Sequence, residues 1–397
     1  MALSEALALA VGATALLAWL YMLFLRGGFW RADQLPRRPE DRANWPDVVA
    51  VIPARNEVVS IGHTLSALLA QDYPGRLQIL VIDDGSEDGT ADMARWTADE
   101  AGASGRVEIL HAPPLAPGWT GKLWALHHGT TSKTARSADW LWFVDADIVH
   151  GKEVLRQLMT EALSGGRDLV SLMVRLRVES FWEKLIVPAF IFFFQMLYPF
   201  RLANDPKSRV AAAAGGCVLV RRARLEAIGG IAVIRDALID DCTLAARIKA
   251  SGGRIWLGLG PESRSIRGAE SLGPLWNMVR RTAYTQLSHN SLLLIGTVLG
   301  LGLVFLAPPL LFAVAIVTGH LPLALLSGAA LIAMCAAYRP TLLHYGRNSL
   351  EALALPIVAS LYLAMTLHSA IDHWRGRGSR WKGRDYGVRH GGSTSKA

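Results

Sequence analysis

Long apolar runs lie near both ends of the chain, and shorter runs alternate with polar segments between them. Residues 6–25 form the first long run and contain no charged side chain. A second apolar block covers about residues 291–338, and a further run covers about 352–371. A helix needs about 20 predominantly apolar residues to span a bilayer. The pattern therefore predicts membrane-spanning helices at both ends, with a buried core helix as the alternative for the first run.

Basic residues beside these runs predict their orientation. Four arginines follow the first run: Arg26, Arg31, Arg37 and Arg38. Because the cytoplasmic flanks of membrane helices are rich in Lys and Arg, residues 1–26 are predicted to be an uncleaved anchor whose C-terminal end faces the cytoplasm. The basic tail, 372–397, is predicted to lie on the same side. That placement requires two or four crossings within 291–371, whereas the simplest count gives three.

The middle of the chain has a different pattern and predicts one domain over residues 47–290, preceded by a linker at 27–46. Short β-branched runs such as "VVAVIP" at 48–53 and "LQILVID" at 77–83 alternate with segments of helical spacing. Alternation of strands and helices predicts an α/β fold with a mostly parallel sheet covered on both faces. Ligands bind to such sheets at the carboxyl ends of the strands.

The composition agrees with a membrane protein. Hydrophobic residues make up 51% of the chain, charged residues make up 19%, and the net charge is +8. Anionic lipid headgroups attract basic residues beside membrane helices, so the positive charge requires no nucleic acid, for which no recognition motif is present. The three cysteines, Cys217, Cys242 and Cys335, lack metal-ligand spacing and are predicted to be free thiols.

The stretch "LWFVDADIVH" at 141–150 places two carboxylates just past a predicted buried strand. Alternate residues of an extended segment point the same way, so Asp145 and Asp147 are predicted to face one divalent cation. Carboxylate oxygens suit Mg2+ or Mn2+, which keep positions for substrate phosphates. Turn or helix-cap chemistry is the alternative. The acidic loops "IPARNE" and "IDDGSEDGT" follow two other predicted strands and favour the metal hypothesis.

Five motifs occur in the order found in family 2 glycosyltransferases, which this sequence resembles over residues 47–290. They are "VIPARNE", "VIDDGSEDGT", "GWTGKLWAL", "FVDADI", and "GGCVLVRRARLEAIGGI" followed by "LIDDCTLAARI". The resemblance implies the nucleotide-sugar-binding GT-A fold, which is Rossmann-like. The flanking apolar segments and the closing "RWKGRDY" resemble, more narrowly, the bacterial hopene-associated membrane glycosyltransferases.

The resemblance implies roles for residues that bind the donor. The residues expected around the nucleoside are Pro53, Ala54, Glu57 and Asp84. Asp83 is a further donor-binding candidate, for which turn chemistry is the alternative. Asp147 is expected to bind the Mg2+ or Mn2+ ion, and Asp145 to contact the ribose or the metal. Lys122 is expected to bind the diphosphate, although a lone lysine is more often a solvated surface group.

The resemblance also implies a general base and a single transfer. The family usually has Glu-Asp where this sequence has Asp240 and Asp241, so Asp241 inherits the role of the base. Two helix-capping acids are the alternative. Chain-building relatives carry Gln/Arg-x-x-Arg-Trp, whereas "LWNMVRRTAYTQL" has no tryptophan after an arginine. Transfer of one sugar is therefore predicted, with Arg281 as the match for diphosphate binding and contact with lipid phosphate as its alternative.

The acceptor is predicted to be a lipid. Residues 181–202 are aromatic and apolar, but Pro188, Gln195 and Pro199 interrupt them. An interfacial or re-entrant segment beside the active site is predicted, with a helix that only packs against the membrane domain as the alternative. Such a segment would admit a lipid hydroxyl directly to the base.

These observations together predict a multi-pass protein of the bacterial inner membrane with its catalytic domain in the cytoplasm. It is expected to transfer a sugar with inversion from a nucleotide sugar, with UDP as the family's commonest donor nucleotide, to the hydroxyl of a hopanoid or related polyisoprenoid lipid. Transfer to a polyisoprenyl phosphate is one alternative, and a membrane scaffold without catalysis is another. A dinucleotide-dependent reductase is disfavoured, because no G-x-G-x-x-G follows the first predicted strand.

Overall fold

The computed structural model describes residues 2–377 and, beyond them, two short strands, Ser379–Trp381 and Arg384–Tyr386. The predicted basic tail, 372–397, therefore lies largely outside the described residues. Eight strands form the central sheet: β1 Val48–Ala54, β2 Leu77–Asp83, β3 Val107–His111, β4 Trp140–Val144, β5 Ile148–His150, β6 Leu169–Arg175, β7 Cys217–Arg221 and β8 Ile255–Ser265.

The sheet has the strand order β3-β2-β1-β4-β7-β6-β8-β5. β1 is parallel to β2 and β4, and β2 is parallel to β3. β7 runs antiparallel between β4 and β6, and β8 is parallel to β6. The carboxyl ends of β1, β4, β6 and β8 therefore meet at one edge of the sheet. This topology confirms the predicted α/β fold with a mostly parallel sheet.

Helices cover both faces of the sheet, which explains why every residue of β1 and β4 is buried. The helices of this domain and its flanks are α1 Ala2–Phe24, α2 Val58–Leu69, α3 Thr90–Glu100, α4 Gly121–Thr131, α5 Lys133–Arg136, α6 Val154–Ser164, α7 Phe181–Leu197, α8 Phe200–Asn204, α9 Arg222–Ala227, α10 Asp240–Ala250, α11 Leu272–Arg280 and α12 Ala283–Gln286. One apolar core lies between the sheet and α2, α3 and α6. A second lies between the sheet and α4 and α10.

Within the described residues, four helical segments are long and apolar enough to cross a membrane: Leu3–Phe24, Ser291–Thr318, Leu321–His344 and Ser349–Trp374. The α-helices within the last three are α13 Ser291–Leu301, α14 Ala307–Thr318, α15 Leu321–His344 and α16 Leu355–Trp374. Three segments follow residue 290, which equals the simplest count from the sequence, whereas the predicted orientation required two or four. A cytoplasmic tail therefore requires that one of these three does not cross.

The segment 181–202 lies at the junction of the sheet domain and the apolar helices. Its first part is α7, which begins with a capping box between Ser180 and Glu183. The aromatic rings of α7 pack against α15 and α16, with Phe192 and Tyr338 at 5.1 Å and Phe193 and Tyr362 at 4.8 Å between ring centroids. This packing anchors the sheet domain to the apolar helices.

Candidate active site

A cleft of about 520 Å³ lies at the carboxyl edge of the sheet. It is lined by these residues predicted from the sequence: Pro53, Glu57, Lys122, Asp145, Asp147, Asp240 and Arg281. A smaller adjoining pocket shares Lys122, Asp145 and Asp240 with the cleft and adds Asp241. Residues from distant parts of the chain come together here because the parallel strands end at the same edge.

Lys122 lies in the first turn of α4 and joins two acidic loops. Its Nζ is 2.8 Å from Asp145 Oδ1 and 3.4 Å from Asp240 Oδ2. Burial alone would lower the pKa of Lys122, but the carboxylates of Asp145 and Asp240 raise that pKa above its ordinary value. Lys122 therefore stays charged at the centre of the site.

Backbone amides hold Asp241 in one orientation at the start of α10. Its Oδ1 accepts a hydrogen bond from the Cys242 N–H at 2.7 Å, and its Oδ2 accepts one from the Gly215 N–H at 2.8 Å. Burial and the neighbouring charge of Asp240 raise the pKa of Asp241 to about 6, although Lys122 opposes the shift. An oriented carboxyl group with a pKa near neutrality is suited to act as a general base.

Gly215 allows these charged groups to approach the backbone closely. A Cβ atom at this position would lie 3.1 Å from Lys122 Nζ and 3.4 Å from Asp241 Oδ2. A side chain here would therefore compete with the ammonium group and the carboxylate for the same space.

Asp145 and Asp147 bind different cationic side chains. The segment from Asp145 to Ile148 is a turn, with the Ile148 N–H donating to the Asp145 carbonyl at 3.2 Å, so the alternation expected of an extended segment is wrong here. Lys122 pairs with Asp145. Arg267 donates from Nε to Asp147 Oδ2 at 3.0 Å. Both carboxylates nevertheless line the same cleft.

The sequence profile described as "Glycosyltransferase like family 2" matches residues 46–285. The chain belongs to this family. The match covers the whole sheet domain and confirms the predicted family and the predicted class of enzyme, a glycosyltransferase.

A solved structure with a similar fold is the mannosyltransferase PcManGT from Pyrobaculum calidifontis in complex with GDP-Man and Mn2+. The two chains share 20% sequence identity at a TM-score of 0.56, and the comparison covers 93% of this chain and 98% of that one. At this identity the likeness shows the fold alone, which is the GT-A type predicted above.

Curated relatives include the 4,4'-diaponeurosporenoate glycosyltransferases of Staphylococcus aureus. The protein of strain bovine RF122 / ET3-1 is 33% identical to this chain over 144 residues, and that of strain USA300 is 32% identical over 143 residues. Each alignment covers 35% of this chain and 35% of the relative. The match thus spans about a third of the length of these relatives.

Three predicted donor-binding residues of this family 2 glycosyltransferase are not among the residues that line the cleft: Ala54, Asp83 and Asp84. Ala54 is the buried last residue of β1, and its carbonyl accepts a hydrogen bond from the Asp84 N–H at 2.8 Å. Asp83 Oδ1 accepts from the Ser86 N–H at 3.2 Å, and its Oδ2 lies 3.1 Å from His111 Nδ1. These contacts match the turn chemistry that was the alternative for Asp83.

The cleft is also lined by residues that were not predicted from the sequence, among them Arg177, Ser265 and Arg267. Arg177 follows β6, and Ser265 and Arg267 come at and just after the end of β8. A signal for them was present, because polar residues that follow a parallel strand lie at the ligand-binding edge. Sequence alone does not show that β6 and β8 run parallel to β4, so that signal could not be used.

The acidic groups of this glycosyltransferase fit a divalent cation that takes part of its ligands from the substrate. Glu57 and Asp147 both line the cleft, and they already bind the positive charge of Arg267. No cluster of three or more His, Cys, Asp or Glu side chains suited to hold a metal occurs among the described residues. Mg2+ keeps several waters and binds substrate phosphates as well as carboxylates. Asp147, with Asp145 beside it, would hold such an ion, which would neutralise the diphosphate as it leaves.

Replacing Lys122 with methionine is expected to lower sugar transfer by about a hundredfold, because the site loses the buried charge that pairs with Asp145 and Asp240. Lys122 also lowers the pKa of Asp241, so its removal should move the acid limb of the pH–rate profile to higher pH. Initial rates measured from pH 5 to pH 9, or over about that range, would show both effects. Lys133→Met, at an exposed position on α5, is the control. An acid limb unchanged in Lys122→Met would contradict the assigned contact.

Proposed function

We propose that this enzyme transfers one sugar, with inversion, from a nucleotide sugar to the hydroxyl of a membrane lipid of the hopanoid or polyisoprenoid class. The observation that carries this proposal is that the cleft is lined both by charged groups and by apolar side chains of helices that pack against the apolar helices. The charged groups Lys122, Asp145, Asp147 and Asp240 are called the charged wall. The apolar side chains, called the apolar wall, line the cleft together with Arg177, Glu183 and Asn277; they are Leu176, Val187, Pro274, Leu275 and Met278.

The apolar wall belongs to helices that pack against the apolar helices of the chain. Val187 lies on α7, and Leu275 and Met278 lie on α11. α11 packs on α16, where Trp276 Nε1 donates to His368 Nδ1 at 3.0 Å and Arg280 pairs with Asp372 at 3.1 Å. A lipid that enters from the membrane would therefore meet an apolar surface before its hydroxyl reaches the charged wall.

The proposed reaction is one displacement at the anomeric carbon. Asp241 takes the proton from the acceptor hydroxyl, the oxygen forms the new bond to the anomeric carbon, and the nucleoside diphosphate leaves from the opposite face. Lys122 and Arg281 line the cleft and are proposed to bind the charge of the departing diphosphate. Arg280 instead pairs with Asp372, which supports Arg281 as the arginine that contacts the donor.

The comparisons support a lipid acceptor and a divalent cation in general terms. The Staphylococcus aureus relatives are named for 4,4'-diaponeurosporenoate, a carotenoid-like lipid, and PcManGT was solved with GDP-Man and Mn2+. We propose Mg2+ or Mn2+ as the cofactor and a UDP-sugar as the donor. The apolar helices support a location in the bacterial inner membrane, with the sheet domain in the cytoplasm.

The proposal is tested by replacing Met278 with glutamate on the apolar wall. A charged group there should exclude the hydrocarbon part of the acceptor, because a charge buried against a lipid is costly. We expect transfer into lipid to fall at least about tenfold, while the affinity for the donor stays unchanged. The measurement uses the full chain in vesicles of bacterial lipid extract, a panel of labelled nucleotide sugars, and counting of label in the organic-soluble product.

Val59→Glu is the matched control, since Val59 is 86% exposed on α2 and lies outside the cleft. Full transfer by Met278→Glu would overturn the lipid acceptor. Transfer of label only to water-soluble products in every preparation would overturn it as well.

A further inference from the structure

Arg267 connects the two acidic loops of the donor side and has no role in the reaction proposed above. Its Nη2 donates to Glu57 Oε1 at 2.5 Å, and its Nε donates to Asp147 Oδ2 at 3.0 Å. The Glu57 and Asp147 side chains are only 12% and 15% exposed, whereas that of Arg267 is 48% exposed. A half-exposed guanidinium therefore neutralises two poorly solvated carboxylates.

The backbone around Arg267 is fixed on both sides. The Ile266 N–H donates to the Asp147 carbonyl at 2.9 Å. The Ala269 N–H donates to Glu183 Oε1 at 2.6 Å, and Ser180 Oγ donates to the Ala269 carbonyl at 2.8 Å. Because the loop is tied to the turn after β4 on one side and to the start of α7 on the other, Arg267 can leave its partners by rotation of its side chain alone.

The carboxylate of Asp147 cannot bind Arg267 and a metal ion equally well at the same time. Its Oδ2 already accepts hydrogen bonds from Ser265 Oγ at 3.1 Å and from Arg267. A divalent cation bound to the same carboxylate would lie close to the guanidinium and repel it, because like charges a few ångströms apart repel strongly near a protein surface. The two cations therefore compete.

We propose that Arg267 is a positioning residue that holds Glu57 and Asp147 together before the donor binds. When a divalent cation binds to Asp147, it displaces Arg267 from that carboxylate. This inference rests on the metal site included in the proposed function. This role explains the presence of an arginine just after β8, because its forked guanidinium can bind two carboxylates at once.

Binding of Mn2+ alone tests the proposal without any sugar donor or lipid. The concentration of free Mn2+ is measured by electron paramagnetic resonance during titration of the full chain in detergent. Arg267→Gln should bind Mn2+ about tenfold more tightly than the wild type, because the competing charge is gone. Arg267→Lys should bind about threefold more tightly, since an ammonium group cannot bridge both carboxylates.

Arg264→Gln is the matched control, because Arg264 is exposed on β8, three residues before Arg267, and lies outside the cleft. It should bind Mn2+ as the wild type does. Unchanged or weaker Mn2+ binding by Arg267→Gln would overturn the competition while leaving the metal site intact. If that variant does not fold, wild-type affinity in Arg267→Lys would overturn it. If neither the wild type nor any variant binds Mn2+, both the competition between Arg267 and the cation and the metal site itself would be overturned. The proposed transfer to a lipid would then be judged by its own assay.

Discussion

Replacing Asp241 with asparagine is expected to lower the rate of sugar transfer by about a thousandfold, within the range that a positioned general base contributes. The amide has nearly the same shape as the carboxyl group but cannot take the acceptor proton. One of the two backbone N–H groups, from Gly215 and Cys242, would also lose its acceptor, because an amide has only one oxygen. Initial rates of label transfer and the affinity for the donor nucleotide would be measured side by side.

The pH–rate profile of the wild type should also depend on the ionisation of Asp241. The base acts only when ionised, and burial raises the pKa of Asp241 to about 6, so kcat/KM should fall as the pH drops below about 6. Asp92→Asn is the control, because Asp92 is exposed on α3, where it pairs with Arg95. Activity retained by Asp241→Asn would favour a polyisoprenyl phosphate acceptor, which is already anionic and needs little help from a base.

Replacing Asp147 with asparagine is expected to abolish the metal dependence of the reaction and to lower transfer by about a thousandfold. A bound metal ion stabilises the charge of the departing diphosphate by several kcal/mol, and each 1.36 kcal/mol corresponds to about a tenfold change in rate. Asp147 lines the cleft and keeps only 15% of its side chain exposed. Transfer rates would be measured over a range of Mg2+ and Mn2+ concentrations and after addition of a chelator.

The chelator should reduce the wild type to the level of Asp147→Asn and leave that variant unchanged. Asp92→Asn again serves as the control for an aspartate outside the cleft. If the wild type still transfers sugar in excess chelator, the carboxylates of Asp145 and Asp147 have a role other than binding a metal ion. In that case Lys122, Arg177, Arg267 and Arg281 would remain as the cations of the cleft.

Local pattern was enough to predict the sheet and most of the polar wall. Strands such as Val48–Ala54 and Trp140–Val144 are short apolar runs that end at acidic residues, and parallel strands carry such ends to one edge whatever the rest of the chain does. For that reason Glu57, Asp145 and Asp147 were found before their contacts were known, whereas Asp240 was found from the family resemblance. The i and i+2 argument for Asp145 and Asp147 was wrong because the chain turns directly after β4.

The sequence by itself determined the family, the α/β class, the apolar helices and the acidic motifs, because each depends on residues that are near one another in the chain. Only the tertiary structure decided which side chains meet: Lys122 with Asp145 and Asp240, Arg267 with Glu57 and Asp147, and α11 with α16. Such contacts depend on the order and direction of the strands and on the packing of helices far apart in sequence. The apolar wall of the cleft belongs to this second group, because Val187 and Met278 meet only after α7 and α11 have packed against the apolar helices.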